Sequence, residues 1–204
     1  MHLLIILLPL ASVLQQSLGT DNNPPVGKIT EKQKKEILDK HNAIRRGVKP
    51  TASNMLKMEW SEKASESARK WAVKCIASSS PREERIVDGV ACGESTLKST
   101  YPLSWIEVIT KWFSKASNFR YGYGAVNPRK DFYSYTQLIW YNTHEVGCGL
   151  AYCPQNEYTY FYICRYCPAG NVRGEELTPY RKGPPCGDCP SNCEDRLCSK
   201  LLTS

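Results

Sequence analysis

The stretch "SYTQLIWYNTHEVGCGLAYCP" at residues 134–154, followed by "YFYICRYC" at 160–167, says most about the fold. Both pieces are rich in Tyr, Ile, Phe and Trp, residue types that favour β-strands. The pattern predicts strands at Tyr135–Trp140, Gly147–Cys153 and Thr159–Tyr166. We therefore expect a predominantly antiparallel sheet in this half of the chain.

Upstream of these strands the sequence predicts three helices. Thr30–Arg46 begins with a capping-box spacing and carries apolar residues along one face. A second helix is expected over Ser61–Lys74, with an apolar stripe of alanine and tryptophan, and Ser104 with Glu107 predicts the start of a third. Helices packed on an antiparallel sheet indicate the α+β class.

Residues 1–20, "MHLLIILLPLASVLQQSLGT", predict a secretory signal peptide. The apolar run is too short to span a bilayer, and Ser17 with Gly19 forms a small-x-small cleavage pattern. No later stretch is long and apolar enough to act as a membrane anchor. The mature protein is therefore expected to be soluble, secreted and extracellular.

Ten cysteines in an exported chain indicate disulfides. After Cys167 the composition shifts to Pro, Gly and Cys, which predicts a linker followed by a small C-terminal knot. The knot's Cys186-x-x-Cys189 and Cys193-x4-Cys198 superficially resemble a zinc site. The two pairs lie closer together than in zinc fingers and export favours oxidation, so disulfides are the preferred interpretation. Complete pairing leaves no reactive thiol.

The chain is basic, with 27 Lys and Arg against 20 Asp and Glu and a formal net charge of +7. The surplus lies in residues 21–167, which hold 22 basic and 15 acidic residues. This balance favours acidic glycans or anionic membranes as partners, although it also serves solubility alone. Without a compact basic run or a recognised motif, an exported protein is not expected to bind nucleic acid.

Histidine, the usual general base, is scarce. Apart from His2 the chain has His41, on the apolar face of the first predicted helix, and His144, in a turn expected to be exposed. We interpret His41 as a packed structural residue. Ser134 lacks a plausible base and there is no Gly-x-Ser-x-Gly elbow, so the sequence predicts no catalytic residue, no cofactor and no enzyme.

Several segments together resemble the cysteine-rich secretory proteins (CRISPs) of the CAP superfamily, and they cover nearly all of the mature chain. These segments are "HNAIRRGVKPTASNMLKMEW" (41–60), "CGES" (92–95), "SYTQLIWYNTHEVGCGLAYCP" (134–154), "YFYICRYCPAGN" (160–171) and "TPYRKGPPCGDCPSNCEDRLC" (178–198). The resemblance implies a three-layer α-β-α CAP sandwich over residues 21–167, then a linker and a cysteine-rich hinge over 168–204. It also implies the disulfides Cys75–Cys153, Cys92–Cys167, Cys148–Cys164, Cys186–Cys193 and Cys189–Cys198.

Full-length CRISPs continue into a six-cysteine module associated with ion-channel regulation. The sequence stops six residues after Cys198, so the resemblance predicts that this module is absent. An ion-channel-blocking toxin is correspondingly disfavoured.

The family's cleft is lined by two histidines and two acids that can hold a divalent metal. Matched on the shared cysteines, these positions fall at Ser79 (within one residue), Glu94, Lys115 and Ser134. One carboxylate, two hydroxyls and an ammonium make a poor ligand set, so no metal site is predicted. We hypothesise instead that Lys115 pairs with Glu94 and neutralises the cleft.

The resemblance implies a non-enzymatic, diffusible extracellular signal: a sperm chemoattractant that acts on a receptor or membrane at the sperm surface. Two alternatives stay open, a lipid (sterol) or glycan carrier and, less favoured, a metal-assisted hydrolase. The aromatic residues between 119 and 135 could line an apolar groove, but packing in the core and loops is preferred. No binding residue is assigned from the sequence.

Overall fold

The computed structural model describes residues 27–199, so the predicted signal peptide lies outside the described residues. This part of the chain contains four α-helices: α1 (Glu31–Arg46), α2 (Glu62–Ala72), α3 (Trp105–Phe113) and α4 (Tyr133–Leu138). The strands are β1 (Glu59–Trp60), β2 (Ile86–Val87), β3 (Val90–Ala91), β4 (Gly93–Ser99), β5 (Phe119–Arg120), β6 (Gly124–Ala125), β7 (Glu145–Tyr152), β8 (Tyr160–Cys167), β9 (Cys193–Glu194) and β10 (Leu197–Cys198). No helix of residues 27–199 is long and apolar enough to cross a membrane.

The predicted helix starts are confirmed by their caps. Thr30 and Ser104 each form a complete capping box, with Gln33 and Glu107 respectively, and Ser61 accepts a hydrogen bond at the start of α2. Each cap satisfies amide groups that have no partner inside the helix. Local sequence therefore determines where these three helices begin.

The central sheet has the strand order β1-β7-β8-β4, antiparallel except for the short β1–β7 pair. Every residue of β8 is buried, because helices cover both faces of the sheet. Tyr160, Tyr162 and Tyr166 of β8 join the core formed by α1, α3 and α4, whereas Phe161 and Ile163 pack with α2. The predicted α+β, three-layer α-β-α sandwich is confirmed.

The predicted strand at Tyr135–Trp140 is wrong, because this segment forms α4. Its turns are closed by amides donating to carbonyls four residues earlier, from Thr136 to Phe132 at 3.1 Å and from Ile139 to Tyr135 at 3.2 Å. The Arg45 guanidinium of α1 donates to the carbonyls of Leu138 and Trp140, where the helix ends. Tertiary contacts of this kind override the strand preference of the aromatic residues.

Two glycines of β7 let α2 lie directly on the sheet. A Cβ built on Gly147 would lie 2.1 Å from the Ser65 amide nitrogen, and one on Gly149 would lie 2.6 Å from the Arg69 amide nitrogen. Any side chain at either position would force helix and sheet apart. The close packing lets the Ser65 hydroxyl donate to the Cys148 carbonyl of β7 and brings Ser67 to Arg165 of β8.

Candidate functional site

Glu94, the acid that the family resemblance assigned to a cleft, lies near the start of β4 and opposite Arg165 of β8. Directly opposed residues share one face of a sheet, and here that face carries α2. Arg165 Nη1 donates to Glu94 Oε2, and Arg165 Nε donates to Ser67 Oγ of α2 at 3.3 Å. The side chains of Glu94 and Arg165 are 1% and 0% exposed. The carboxylate is therefore enclosed with its own counter-ion.

Ser80 completes this enclosure. Its backbone amide donates to Glu94 Oε1 at 3.0 Å and its hydroxyl to Glu94 Oε2 at 2.7 Å, while Arg165 Nη1 donates to the same hydroxyl at 2.8 Å. Ser79, the position matched from the sequence, is exposed. The sequence match was uncertain by one residue, and the serine that binds Glu94 is the next one, Ser80.

The Arg165 guanidinium has one nitrogen, Nη2, without a hydrogen-bond partner among the described residues. Burial lowers the pKa of Arg165, and the negative charge of Glu94 opposes this shift. Arg85 adds a second positive charge, with Nη2 4.0 Å from Glu94 Oε1. Two guanidinium groups, those of Arg165 and Arg85, thus lie beside the Glu94 carboxylate.

Lys115 and Ser134, the other two cleft positions, are bonded elsewhere. Lys115 Nζ lies 2.7 Å from Asp131 Oδ2, and the Ser134 hydroxyl donates to the Trp112 carbonyl at 3.5 Å. The hypothesis that Lys115 pairs with Glu94 is therefore wrong. The cause is strand alternation: Gly93 faces Gln137 of α4, so the next residue, Glu94, faces α2 on the opposite side of the sheet.

These four positions do not fit a divalent metal. Glu94 already accepts hydrogen bonds from Ser80 and Arg165, Ser79 is exposed, and Lys115 brings a positive charge. Among the described residues, the acids, histidines and cysteines that could converge on an ion are Cys186, Cys189 and Cys198. All three sulfurs are in disulfides, so they offer no thiolate.

The two histidines of the described chain are held in structural roles. His41 is fully buried, with Nδ1 2.7 Å from the Ile37 carbonyl and Nε2 3.0 Å from the Tyr166 hydroxyl. Burial lowers its pKa to about 4, so the ring is neutral, donating from Nδ1 and accepting at Nε2. His144, expected to be exposed, keeps only 13% of its side chain accessible and lies 3.1 Å from the Asn142 carbonyl.

All ten cysteines are paired, and the pairs are those implied by the family resemblance. The structure joins Cys75–Cys153, Cys92–Cys167, Cys148–Cys164, Cys186–Cys193 and Cys189–Cys198. Five disulfides are typical of proteins made for an oxidising, extracellular environment.

The C-terminal knot is packed against the body of the protein. Cys198 exchanges backbone hydrogen bonds with the segment before β1, donating to the Met55 carbonyl and accepting from the Lys57 amide, both at 2.8 Å. Tyr180 and Leu197 are 3% and 1% exposed within the main core. The knot therefore covers part of the core in addition to being stapled by its own disulfides.

The aromatic residues between 119 and 135 mostly fill the interior. The Phe119 ring lies 5.1 Å from Phe132 and 5.8 Å from Tyr135, and the latter two are 7% and 9% exposed. Tyr123 and Tyr133 are exposed at 62% and 52%. Phe119, Phe132 and Tyr135 therefore pack on one another, as the preferred interpretation of core and loop packing predicts.

Comparison with known proteins identifies the family. The model of the CAP family, described as the cysteine-rich secretory protein family, matches residues 38–166. This is more than half of the chain, and the protein belongs to that family.

Solved structures of similar fold include Na-ASP-1, with 26% sequence identity and a TM-score of 0.70 over 88% of this chain; the chain spans only 50% of Na-ASP-1. BmVAL-1 is 28% identical with a TM-score of 0.69, covering 87% of this chain and 98% of its own. NaASP2, solved with Zn2+, is 24% identical with a TM-score of 0.70, covering 87% and 100%. The NaASP2 likeness supports the fold alone.

Sequence reasoning missed the arginine that closes the site. Arg165 interrupts "YFYICRYC", an otherwise apolar strand, and a charge at such a position signals a buried partner. The partner itself could not be chosen from the sequence, because Glu94 is 71 residues away from it along the chain.

Proposed function

We propose that the protein is a secreted, non-enzymatic extracellular signal, a sperm chemoattractant that acts on a receptor or membrane at the sperm surface. In its ten cysteines and family segments it resembles allurin, the sperm chemoattractant of amphibian egg jelly. Acidic glycans of the surrounding coat are a second class of partner, favoured by the net charge of +7.

The observation that carries this proposal is the closure of Glu94. A catalytic or metal-binding carboxylate needs a free lone pair facing a cleft, whereas Glu94 accepts from Ser80 and Arg165 with 1% of its side chain exposed. A surface held by five disulfides suits a protein that diffuses through an extracellular medium and presents a fixed shape to a partner.

The direct test is a gradient of the purified, oxidised protein presented to sperm. Turning of sperm toward the source is expected, and it should vanish after reduction and alkylation of the disulfides, which unfold the scaffold. Sperm that fail to turn at any concentration of folded protein would refute the signal role.

The contact surface can be located with point variants. Removing the C-terminal knot would delete Leu197, which is 1% exposed in the main core, so lost activity in a truncated chain would report damage to the core. Arg196 of the knot is exposed, and Arg82 of the body is an exposed arginine for comparison. Loss of turning in Arg196→Ser but not in Arg82→Ser would assign contact to the knot, and the reverse would assign it to the body.

Metal analysis after dialysis separates this proposal from the metal-assisted hydrolase. We expect no stoichiometric zinc, because Lys115 and two arginines oppose a cation near the former ligand positions. Stoichiometric zinc that survives dialysis would favour the enzyme instead.

A further inference from the structure

We propose that the outer face of the β5–β6 hairpin docks on an anionic lipid surface, with Tyr123, Val126 and Leu177 entering the interface and Arg120, Arg129 and Lys130 contacting headgroups. The proposal is independent of the signal function, because lipid binding is measured without sperm.

The hairpin has a distinct inner and outer face. In the ladder Phe119 opposes Ala125 and Arg120 opposes Gly124. The Phe119 ring packs inward on Phe132 at 5.1 Å. Because side chains alternate along a strand, Arg120 and Val126 face outward.

Three apolar side chains are exposed on or beside this face. Tyr123 at the turn is 62% exposed, Val126 after β6 is 60% exposed, and Leu177 is 44% exposed. Leu177 adjoins the hairpin, since its carbonyl accepts from the Gly122 amide at 2.8 Å and a Cβ built on Gly124 would lie 2.7 Å from Leu177 Cδ2. Exposed apolar side chains grouped in this way mark an interaction surface.

The segment that forms this hairpin and the loop after it is basic, and its Arg120, Arg129 and Lys130 are exposed. Residues 116–130 contain Arg120, Arg129 and Lys130 and no Asp or Glu, and the adjacent turn adds Arg173 with Glu175 and Glu176. Asp131, which follows directly, is paired with Lys115. Four cations against two carboxylates leave an excess of positive charge.

One contact positions the Arg120 cation, and a set of hydrogen bonds orders the backbone of the following loop. The Arg120 guanidinium carbon lies 4.2 Å from the centroid of the Tyr123 ring, which aligns a cation with the most exposed aromatic side chain. The Asn118 side chain donates to the carbonyls of Asn127 and Lys130 and accepts from the Asn127 amide. The loop that carries Arg129 and Lys130 is therefore preformed.

A lipid surface fits these groups better than a sulfated glycan does. Cations beside exposed apolar side chains match the two layers of a membrane interface, where headgroups are charged and the acyl boundary is apolar. A glycan would satisfy the arginines but would leave Val126 and Leu177 without an apolar partner.

The chain contains its own control for this surface. The β2–β3 hairpin also exposes apolar side chains, Ile86 at 56% and Val90 at 41%. It is flanked by Glu83, Glu84 and Asp88 as well as by Arg82 and Arg85, so its own sequence carries no excess of positive charge. A hairpin with exposed apolar side chains but no excess of positive charge separates docking on anionic lipid from non-specific hydrophobic adsorption.

The experiment is sedimentation of the full oxidised protein with vesicles of phosphatidylcholine, with or without phosphatidylserine. We expect binding only with phosphatidylserine, weakening as salt rises. Arg129→Gln and Lys130→Gln should each weaken binding about fivefold. The pair Tyr123→Ser and Val126→Ser together should weaken it about tenfold. Ile86→Ser should leave it unchanged, and the unfolding midpoints of all variants should match the parent.

A second measurement tests insertion. Tyr123→Trp should be quenched by lipids brominated on their acyl chains, whereas four of the five native tryptophans are buried, at 2% to 6% exposure. The proposal is overturned if anionic vesicles do not bind, if Ile86→Ser weakens binding as much as the hairpin variants, or if the protein binds heparin but no vesicle.

Discussion

Arg45 and Arg165 are both enclosed by the protein, at 1% and 0% exposure, but they hold different kinds of partner. Arg165 is paired with a carboxylate, Glu94. Arg45 donates to five backbone carbonyls, those of Leu56, Leu138, Trp140, Tyr141 and Thr143, at 2.8 to 3.1 Å. The partner of Arg165 is a side chain, which a substitution can replace. The partners of Arg45 are main-chain carbonyls, which no substitution removes.

The Arg45 arrangement connects α1 to the segment before β1 and to the turn after α4. Burial lowers the pKa of Arg45 to about 9, so the guanidinium stays charged at neutral pH. Its charge is compensated by carbonyl dipoles, and those carbonyls lose their donors if the side chain is shortened. Loss of Arg165 can therefore be compensated by a second substitution at Glu94. Loss of Arg45 cannot be compensated in this way, because its partners are backbone carbonyls.

The largest effect is expected from Arg45→Met. It leaves buried carbonyls without donors, and the free energy of unfolding should fall by about 5 kcal/mol in urea titrations of the oxidised protein. Arg46→Met is the matched control on the same helix, since Arg46 is partly exposed and pairs with Asp195. The control should cost less than about 1 kcal/mol. Equal losses in the two variants would contradict the role given to Arg45.

Glu94→Leu or Arg165→Met alone should cost about 4 kcal/mol, because each leaves one buried charge unpaired. The double variant should regain most of that loss, since two apolar side chains then replace the ion pair. The free energies of unfolding of the four proteins form a double-mutant cycle. An additive cycle would mean that Glu94 and Arg165 are not coupled.

His41, one turn before Arg45 on α1, makes stability depend on pH. Its pKa of about 4 in the folded protein lies below its ordinary value of 6.5, mainly because of burial and in part because of Arg45. The unfolded chain therefore binds more protons between these values, and stability is lost as pH falls from 6.5 through 4. The contribution of His41 to this loss is about 3 kcal/mol. Unfolding measured against pH should show a flatter slope in His41→Gln, and an unchanged slope would exclude His41 as the titrating group.

The smallest effect is expected at the exposed pair of Lys115 and Asp131. Lys115→Gln should change the free energy of unfolding by less than about 1 kcal/mol, because both side chains are about half exposed. Lys115→Glu should not create zinc affinity, as measured by calorimetry, because Glu94 faces the other side of the sheet. Tight zinc binding by this variant would show that the two positions share one cleft.

The helix starts and the strands β7 and β8 could be predicted from local sequence, because caps and runs of β-branched and aromatic residues act over a few positions. The strand predicted at Tyr135–Trp140 failed because α4 depends on Arg45, 93 residues before Leu138 along the chain. The prediction of the candidate site was incomplete for the same reason. The sequence located Glu94, but its partner Arg165 depends on the register between β4 and β8.

The distribution of the disulfides determines what a single proteolytic cut does to the protein. Three disulfides close within residues 75–167 and two within 186–198, and all ten cysteines lie in the described part of the chain. No disulfide therefore links the two parts, and they are joined covalently only by the backbone segment 168–185. This segment includes the exposed residues Val172 and Arg173. A single cut there would produce a two-chain complex whose survival depends on its dissociation constant and on dilution.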